Sequence, residues 1–412
     1  MFESLKKAID EIFGSVIRPI KEWVLRQSWG VRVLCLIILS AAAFSWWKPQ
    51  TVAGFYQQGN FYWRSWRSDT KQVPLSRSAQ SALALALDRL AGGVEADLDV
   101  ERDDPSAPIT PWSAAQSVVA LRAVGKPVGD SNAFVTFANQ GRFAPDCFCW
   151  TERADESRSE IVSFIGGWVM AAFADIGQPL TAADYDYLLH QQNGAGWWPM
   201  FPESGAAKYP STYATGWIVL GLHKQRTAGL VPAEQRADVD RAIRRATMWL
   251  LRSRDGARWQ AHPGAPDTES PETLSGFTLH VLHQLGASDL ADVDRAWLDS
   301  LPTQDLEPIS RDDHYMVLPY SRRGSNIDRI SEVRLPWILA ATADAYASGT
   351  TGQKARTLTW IEARLLDPKV RNADTKGFDW VRAELLIGLA ETGKLADCKA
   401  CQTAGRGVSQ NK

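Results

Sequence analysis

The sequence is poor in several features that define common protein classes. Five cysteines among 412 residues are too few for a scaffold held together by disulfide bonds. The 47 acidic and 45 basic side chains leave a net charge of −2, so the basic excess typical of nucleic-acid-binding proteins is missing and we expect no nucleic-acid partner. Alternating polar and apolar residues, which indicate half-buried strands, are almost absent. These absences favour a globular all-α protein.

Long apolar runs are scarce as well, with one exception near the N-terminus. Residues 33–47 carry no charge, and extension of this run back to Ser28 gives about 20 residues, the length that a membrane-spanning helix needs. Trp29, Trp46 and Trp47 would lie at the two interfaces of the membrane. We predict a single transmembrane helix over 28–48. A cleaved signal peptide and a buried helix are the alternatives.

The segments around this run have their own patterns. In residues 1–27, apolar side chains recur at helical spacing, which predicts an amphipathic helix that lies on a membrane or binds a membrane-protein partner. Six basic residues precede the apolar run and favour an N-terminus inside the cell. We therefore predict a single-pass protein of the bacterial inner membrane, with its large C-terminal part in the periplasm. Residues 49–75 read as an aromatic-rich linker, and residues 397–412 as a flexible tail.

A repeated pattern occupies residues 76–396. Six segments share a polar or proline-marked start, small residues, an aromatic residue and a helix that is apolar on almost all sides: 110–125, 159–177, 210–222, 270–286, 331–345 and 378–393. Amphipathic segments alternate with them at 76–91, 181–192, 234–253, 289–301 and 353–366. Buried helices paired with outer helices predict an α/α toroid, a closed double ring of about six helical hairpins.

Tryptophan is the residue in clear excess, with 18 in the chain. Several tryptophans end an outer helix, as in residues 191–197 (QQNGAGW) and, without the glutamine, in residues 254–259 (RDGARW). In this feature the sequence resembles the terpenoid cyclase and prenyltransferase superfamily, whose toroids carry repeated Q…G-x-W motifs. The resemblance covers about residues 76–395. It implies a toroid in which the glutamine caps a helix and the tryptophan stacks at a helix junction.

The chain departs from that family at the catalytic motifs. Residues 97–100 (DLDV) lack the third acid of the cyclase Asp-x-Asp-Asp string, and residues 312–314 (DDH) lack the partner acid of a Mg²⁺ or diphosphate site. No cysteine lies on a buried helix to complete the zinc set of the protein prenyltransferases. The histidines on the helices do not have the spacing of a metal-binding pair; they are His190, His223, His280 and His283. We therefore assign no metal ligands and no cofactor from the sequence.

Candidate site residues lie where the buried helices begin. If these helices run in one direction, their N-termini meet at one mouth of a central cavity, and helix N-termini favour anions. Glu272 and Glu332 both stand five residues before the aromatic residue, and they are the candidate catalytic pair because converging carboxylates suit acid–base chemistry. Glu160, Thr212 and Arg334 are candidate ligand-binding residues at the same mouth. Helix capping and matching of the helix dipole is the alternative for all five.

The segment 301–330 has no helix or strand pattern and is longer than most structureless loops. It contains His314, Tyr315, Arg322 and Arg323, and we predict a lid over the mouth in which the two arginines clamp a phosphate or a carboxylate. A solvated loop is the alternative.

The four cysteines of the repeat region and tail fall into two pairs. Cys147 and Cys149 precede the second buried helix, whereas Cys398 and Cys401 follow the last one. The pairs would therefore lie on opposite sides of the toroid. Two local disulfides, or free thiols, are favoured over one zinc site with four cysteines.

Three functions fit these features. The first is a membrane-anchored toroid that binds or processes an apolar or lipid-linked small ligand in its central cavity. The second is a polysaccharide lyase or hydrolase that uses Glu272 and Glu332 with tryptophan platforms. The third is a catalytically silent scaffold that recruits a membrane partner through its N-terminal helix. A long apolar cavity would favour the first, an open groove lined by tryptophan the second, and a filled centre the third.

Overall fold

The computed structural model describes residues 75–103, 111–152, 156–265, 270–302, 311–317, 327–371 and 379–395. This part of the chain is mostly helical and contains two short hairpins of strands, which confirms the all-α expectation in its coarser form. The predicted amphipathic helix 1–27, the anchor 28–48, nearly all of the linker 49–75 and the tail 397–412 lie outside the described residues.

Two sets of helices alternate along the chain. The first set, which we call the apolar helices, comprises α2 (Pro111–Ala123), α4 (Ser163–Asp175), α6 (Thr212–Thr227), α8 (Glu272–Gln284), α10 (Arg334–Ala345) and α13 (Asp379–Thr392). The second set, the amphipathic helices, comprises α1 (Arg77–Asp103), α3 (Ser131–Gln140), α5 (Ala182–Gln191), α7 (Arg236–Arg252), α9 (Ala291–Asp299) and α11 (Thr351–Leu366). The short helix α12 (Pro368–Arg371) follows α11. Each of the six segments predicted to be buried overlaps one apolar helix, and α6 extends beyond its predicted segment to Thr227.

The prediction of a single-pass membrane protein is contradicted. Within the described ranges, no helix is both long enough and apolar enough to cross a bilayer. The longest helix, α1, has 27 residues but carries Asp88, Arg89 and Glu95. The apolar helices have 12 to 16 residues, short of the ~20 that a spanning helix needs. The inner-membrane localisation is therefore not retained. The run 28–48 itself belongs to the part that the structure does not describe.

The apolar helices contact one another in cyclic order. Helix α2 packs on α4, α4 on α6, α6 on α8, α8 on α10 and α10 on α13, and α13 in turn packs on α2. Residues at the same depth meet, because the sixth residues of α4, α6 and α8 (Trp168, Trp217 and Phe277) stack in succession. The second residues of α4 and α6, Phe164 and Tyr213, also meet, with 5.1 Å between their ring centroids, so these two helices run in the same direction. The amphipathic helices pack against the apolar ones, for example α7 on α6 and α9 on α10.

Small residues before the aromatic residue allow the apolar helices to approach closely. A Cβ atom at Gly167 would lie 2.6 Å from the backbone carbonyl carbon of Trp217, and one at Gly276 would lie 2.8 Å from the carbonyl oxygen of Trp337. Helix α10 has Pro336 at the corresponding position, and there the neighbouring helix supplies the glycine, Gly388 of α13. Any larger side chain at these glycines would push two backbones apart.

Three fully buried tryptophans fasten the ends of amphipathic helices. Trp150, Trp198 and Trp259 precede α4, α6 and α8, and their exposed fraction is 0%. The three indole Nε1 atoms donate hydrogen bonds of 2.7–2.9 Å to carbonyl oxygens near the ends of α3, α5 and α7, those of Ala138, Leu188 and Leu250. The tryptophan excess thus serves, in part, the junctions between helices.

In the best match to the Q-W motif, the glutamine links its own turn to α7, and the buried tryptophan stands one residue later than expected. Gln192 follows the last turn of α5, and its Nε2 donates hydrogen bonds to the carbonyl oxygens of Gly196 (2.9 Å) and Ala242 (3.0 Å). The buried tryptophan of this motif is Trp198, whereas Trp197 is half-buried.

The prediction of a structureless segment over 301–330 was wrong. Two strands, β3 (Arg311–Val317) and β4 (Ile327–Val333), form an antiparallel hairpin in which Asp312 lies opposite Glu332 and His314 opposite Ile330. An earlier, shorter hairpin joins β1 (Arg254–Asp255) to β2 (Arg258–Trp259). Neither strand of the longer hairpin alternates polar and apolar residues, so the pairing that stabilises both strands leaves no periodic signal in the sequence. Strand β4 leads directly into α10.

Candidate functional site

Aromatic side chains gather at the N-terminal ends of the apolar helices, a region that we call the N-terminal end. The ring of Trp112 lies 5.8 Å from that of Phe164 and 5.8 Å from that of Trp380, measured between centroids. Phe164 in turn lies 5.1 Å from Tyr213. Each of the four is the second residue of its helix, on α2, α4, α6 and α13. Trp112 and Trp380 are half-buried, whereas Phe164 and Tyr213 are buried.

Glu272 lies between two arginines at the same end. Its Oε1 accepts a hydrogen bond from Arg258 Nη2 (3.1 Å), and its Oε2 accepts one from Arg334 Nη2 (3.0 Å). Glu272 and Arg334 are the first residues of α8 and α10, and Arg258 belongs to β2. Among the described side chains here, two guanidinium groups face one carboxylate, and helix N-termini add further positive potential. This group of three residues, the Arg–Glu–Arg cluster, therefore favours an additional anion.

The two members of the predicted catalytic pair belong to elements that contact each other, α8 and β4. Glu332 lies in β4, two residues before α10 begins, and its side chain lies outside the described part. Both carboxylate oxygens of Glu272 accept hydrogen bonds from arginine, so neither oxygen is free to serve as an acid or a base. Among the side chains that are described, Glu272 is thus placed for charge pairing rather than for proton transfer.

Two further predicted ligand-binding residues, Thr212 and Glu160, make hydrogen bonds within the protein. The fully buried Thr212 donates a hydrogen bond from its Oγ1 to the carbonyl oxygen of Gln260 (2.6 Å). Glu160 Oε2 accepts hydrogen bonds from the backbone N–H (2.9 Å) and the hydroxyl (2.8 Å) of Ser157, which closes a capping box around a 3₁₀ turn. For Glu160 the alternative of helix capping accounts for the contact, whereas Thr212 links the start of α6 to the segment that precedes α8.

The predicted lid residues are described only in part. His314 and Tyr315 lie in β3, opposite Ile330 and Arg329 of β4, and their side chains lie outside the described part. Arg322 and Arg323, the predicted phosphate clamp, lie outside the described residues altogether.

Farther along the apolar helices, aromatic side chains fill the space between them. Trp168 stacks on Trp217 with 3.5 Å between ring centroids, and Trp217 stacks on Phe277 at 4.8 Å. Trp337 meets Trp217 and Phe277 edge-on at 5.6 and 5.1 Å. None of the four is more than 1% exposed. At this depth the protein's own side chains occupy the space that a central ligand would need.

A buried carboxylate completes this aromatic layer. Glu384 is 1% exposed and accepts hydrogen bonds from Gln116 Nε2 (3.1 Å), from Trp337 Nε1 (3.2 Å) and from the backbone N–H of Val333 (3.3 Å). These donors offset the cost of burying a carboxylate. The Nε1 atoms of Trp168 and Trp217, by contrast, have no hydrogen-bond partner in the described part of the chain.

The opposite ends of α8, α10 and α13 hold a second group of charged residues, which we call the C-terminal cluster: His280, Asp344, Glu391 and Lys394. His280 Nδ1 lies 2.6 Å from Asp344 Oδ2, and both side chains are buried. Lys394 Nζ pairs with Asp344 Oδ1 at 3.3 Å and also with the Glu391 carboxylate. Beside the cluster, His283 Nε2 lies 2.8 Å from Asp294 Oδ1.

These contacts shift the pKa values of three groups. Burial alone would raise the pKa of Asp344, but the nearby His280 and Lys394 lower it below its usual range. Burial also opposes the charge on Lys394, yet Glu391 and Asp344 raise its pKa. For His283, the hydrogen bond and the charge of Asp294 outweigh burial, so its pKa is raised. These contacts therefore favour the charged forms of Asp344, Lys394 and His283.

A small cavity lies beside the start of α4, where Ser163 is among its lining residues. It measures about 10 Å³ and is lined by Cys149, Tyr187 and Trp198, among others. That is room for roughly one water molecule. Cys149 forms a disulfide with Cys147, one of the two states expected for this pair. Burial raises the pKa of Tyr187 to about 12, so this hydroxyl stays protonated.

Several residues of these regions were missed in the sequence. Asp344 and Glu391 both lie seven residues after a member of the aromatic layer, Trp337 and Glu384, and Asp175 lies seven residues after Trp168. A charged residue recurring at that offset was the available signal. Arg258 had no comparable signal, because it stands beside a junction tryptophan in a two-residue strand.

Comparison with known proteins does not place the chain in a family. The chain matches no family model, and no curated protein matches it. The resemblance to the terpenoid cyclase superfamily therefore depends on the repeats and the Q-W motif alone.

Proposed function

We propose that the apolar and amphipathic helices form an α/α toroid and that this toroid binds a small amphiphilic anion at its N-terminal end. The ligand would have an apolar body and a phosphate or carboxylate group, as a lipid-linked phosphate does. The cyclic contacts of the six apolar helices support the toroid.

The observation that carries the proposal is the Arg–Glu–Arg cluster. Arg258 and Arg334 are 39% and 30% exposed, so their guanidinium groups are accessible to a ligand while Glu272 holds them in place. Guanidinium groups bind phosphate and carboxylate through paired, charge-assisted hydrogen bonds. The N-termini of α8 and α10, at which Glu272 and Arg334 lie, favour the same ligand charge.

The apolar body of the ligand would pack on the aromatic side chains of the N-terminal end. Trp112 and Trp380 are half-buried and tilted by 33° to each other on α2 and α13. In the cyclic order, α13 follows α10, so this pair is next to the helix that begins with Arg334.

Binding at the end of the helices, rather than between them, follows from the filled aromatic layer. The same layer is what a catalytically silent toroid would need. A polysaccharide-active toroid would use Trp112 and Trp380 as a sugar platform instead, because aromatic rings also pack on sugar faces. The two readings differ in the charge of the ligand, and that difference decides the experiment.

We would measure binding of farnesyl phosphate, farnesol and a neutral oligosaccharide to the chain by titration calorimetry. Farnesyl phosphate should bind about 10- to 100-fold more tightly than farnesol, since a hydrogen bond to a charged group contributes ~1.5–3 kcal/mol. The double variant Arg258→Ala/Arg334→Ala should lose this preference for the phosphate. Trp112→Ala should lower the affinity for both farnesyl phosphate and farnesol.

Two controls match these variants elsewhere in the chain. Arg356 pairs with Asp299 on the surface, and Trp360 is a half-buried tryptophan of α11, so Arg356→Ala and Trp360→Ala should leave binding unchanged. Equal affinity for the phosphate and the alcohol would contradict the proposal. Binding of the oligosaccharide alone would favour the polysaccharide reading.

A further inference from the structure

The C-terminal cluster brings metal-binding side chains together from three successive apolar helices. Three potential ligand atoms lie within 4.8 Å of one another, one each from His280 of α8, Asp344 of α10 and Glu391 of α13. The His280 and Asp344 side chains are 6% and 7% exposed, and that of Glu391 is 17% exposed. The three groups are thus held by packed helices rather than by loops.

We propose that His280, Asp344 and Glu391 form a binding site for a divalent transition-metal ion, for which Zn²⁺ is the best match. One imidazole nitrogen and two carboxylate oxygens are a ligand set that Zn²⁺ accepts, with a fourth position left for water. A histidine ligand and only two carboxylates do not suit Mg²⁺ or Ca²⁺, which prefer oxygen ligands throughout. This inference is independent of the function proposed for the N-terminal end.

Lys394 shows that the position between the two carboxylates accepts a cation. Its ammonium group contacts both Asp344 and Glu391, while half of its side chain is exposed. The lysine can therefore leave toward solvent without passing through the core. In the metal-bound form, the hydrogen bond between His280 and Asp344 would be replaced by two coordinate bonds of about 2.0–2.2 Å. His280 gives up any proton on its ligating nitrogen to solvent, and Lys394 keeps its own.

The helix ends supply a second physical argument. Asp344 and Glu391 lie near the C-termini of α10 and α13, where the helix dipole disfavours negative charge. Two carboxylates at such a place need a positive partner. A single half-exposed lysine is a partner that a divalent ion, with twice the charge, can displace.

The test uses the full chain after treatment with a chelator, with Cys398→Ser and Cys401→Ser introduced to remove the tail thiols as competing ligands. Zn²⁺ and Mg²⁺ binding are measured by equilibrium dialysis, and Co²⁺ is added as a spectroscopic probe. We expect one Zn²⁺ per chain, no retained Mg²⁺, and a Co²⁺ spectrum without the charge-transfer band of thiolate ligands.

Two substitutions should move the Zn²⁺ affinity in opposite directions. Glu391→Gln removes a charged ligand and should weaken binding by about tenfold or more, whereas Lys394→Met removes the competing cation and should tighten it by a similar factor. His223→Asn and Asp175→Asn are matched controls, because both residues lie on apolar helices outside the cluster. Neither control should change the affinity.

The tightening in Lys394→Met keeps the inference testable if Glu391→Gln folds poorly. A structural ion pair would give the opposite result, with Lys394→Met less stable and no more retentive of Zn²⁺ than the parent chain. No stoichiometric Zn²⁺, or an affinity that Lys394→Met leaves unchanged, would overturn the site.

Discussion

The two ends of the apolar helices differ in how they treat charge. At the N-terminal end, arginines are in excess and half-exposed, and aromatic rings surround them. At the opposite end, carboxylates and a histidine are buried and paired with a lysine. In each case the charges oppose the helix dipole, which favours anions at N-termini and cations at C-termini. Each end therefore gains from an ion of the charge that the dipole prefers.

The largest expected effect is at the buried end. Asp344→Asn keeps the size of the side chain but removes the partner of His280 and Lys394. Breaking a buried ion pair from one side costs about 3–5 kcal/mol, and we expect a loss of that order in the free energy of unfolding, measured with urea. Asp175→Asn breaks the more exposed Asp175–Lys224 pair and should cost about 1 kcal/mol or less. Equal losses of unfolding free energy in the two variants would contradict the expectation that burial makes the Asp344 pair the more important one.

Two buried tryptophans, one at a helix junction and one in the aromatic layer, form a matched pair. Trp259 Nε1 donates to the carbonyl oxygen of Leu250, whereas Trp217 Nε1 has no partner among the described residues. Replacement by phenylalanine removes the N–H in both. Trp259→Phe should therefore be the more destabilising by about 1–3 kcal/mol, the cost of a buried group left without its partner. Similar melting temperatures for the two variants would contradict this.

The pH dependence of stability should reveal His283 beside the buried cluster. Because its pKa is raised in the folded state, its contribution is fully present below the ordinary value of ~6.5 and is lost as pH rises through the folded pKa. Asp344 has the opposite sign, since its lowered pKa gives stability that is lost as pH falls below ~4. His283→Asn should flatten the slope above pH ~6.5 and leave the acid limb unchanged, as followed by urea unfolding of the metal-free chain.

The smallest effect is expected at the exposed end. Glu272→Gln removes the charge between Arg258 and Arg334, which are 39% and 30% exposed. Solvent screens such pairs, so the loss in unfolding free energy should be about 1 kcal/mol or less. The same variant should raise the affinity for farnesyl phosphate, because the two arginines lose their competing carboxylate. A loss of stability as large as that of Asp344→Asn would show that the charged residues at the two ends contribute equally, against this expectation.

Local periodicity was enough to locate the helices. Most of the apolar and amphipathic segments were predicted within about five residues, because 3.6-residue periodicity and glycine at helix ends are local properties. Helix α1 is the exception, since it runs on to Asp103, well past the predicted end at residue 91. The same reasoning failed where the signal was not local. The hairpin of β3 and β4 depends on pairing between two strands, and an apolar run near Ser28 led to a membrane protein that the described helices do not support.

The sequence by itself determined that six apolar helices begin at equivalent positions, and it pointed to Glu272 and Arg334 there. Only the tertiary structure decided which side chains meet. Glu272 and Arg334 are 62 residues apart, His280 and Asp344 are 64 apart, and Gln116 and Glu384 are 268 apart. A spacing of a few residues follows from helix geometry, whereas pairs this distant depend on how the helices pack, which glycines such as Gly167 and Gly388 control through backbone contact.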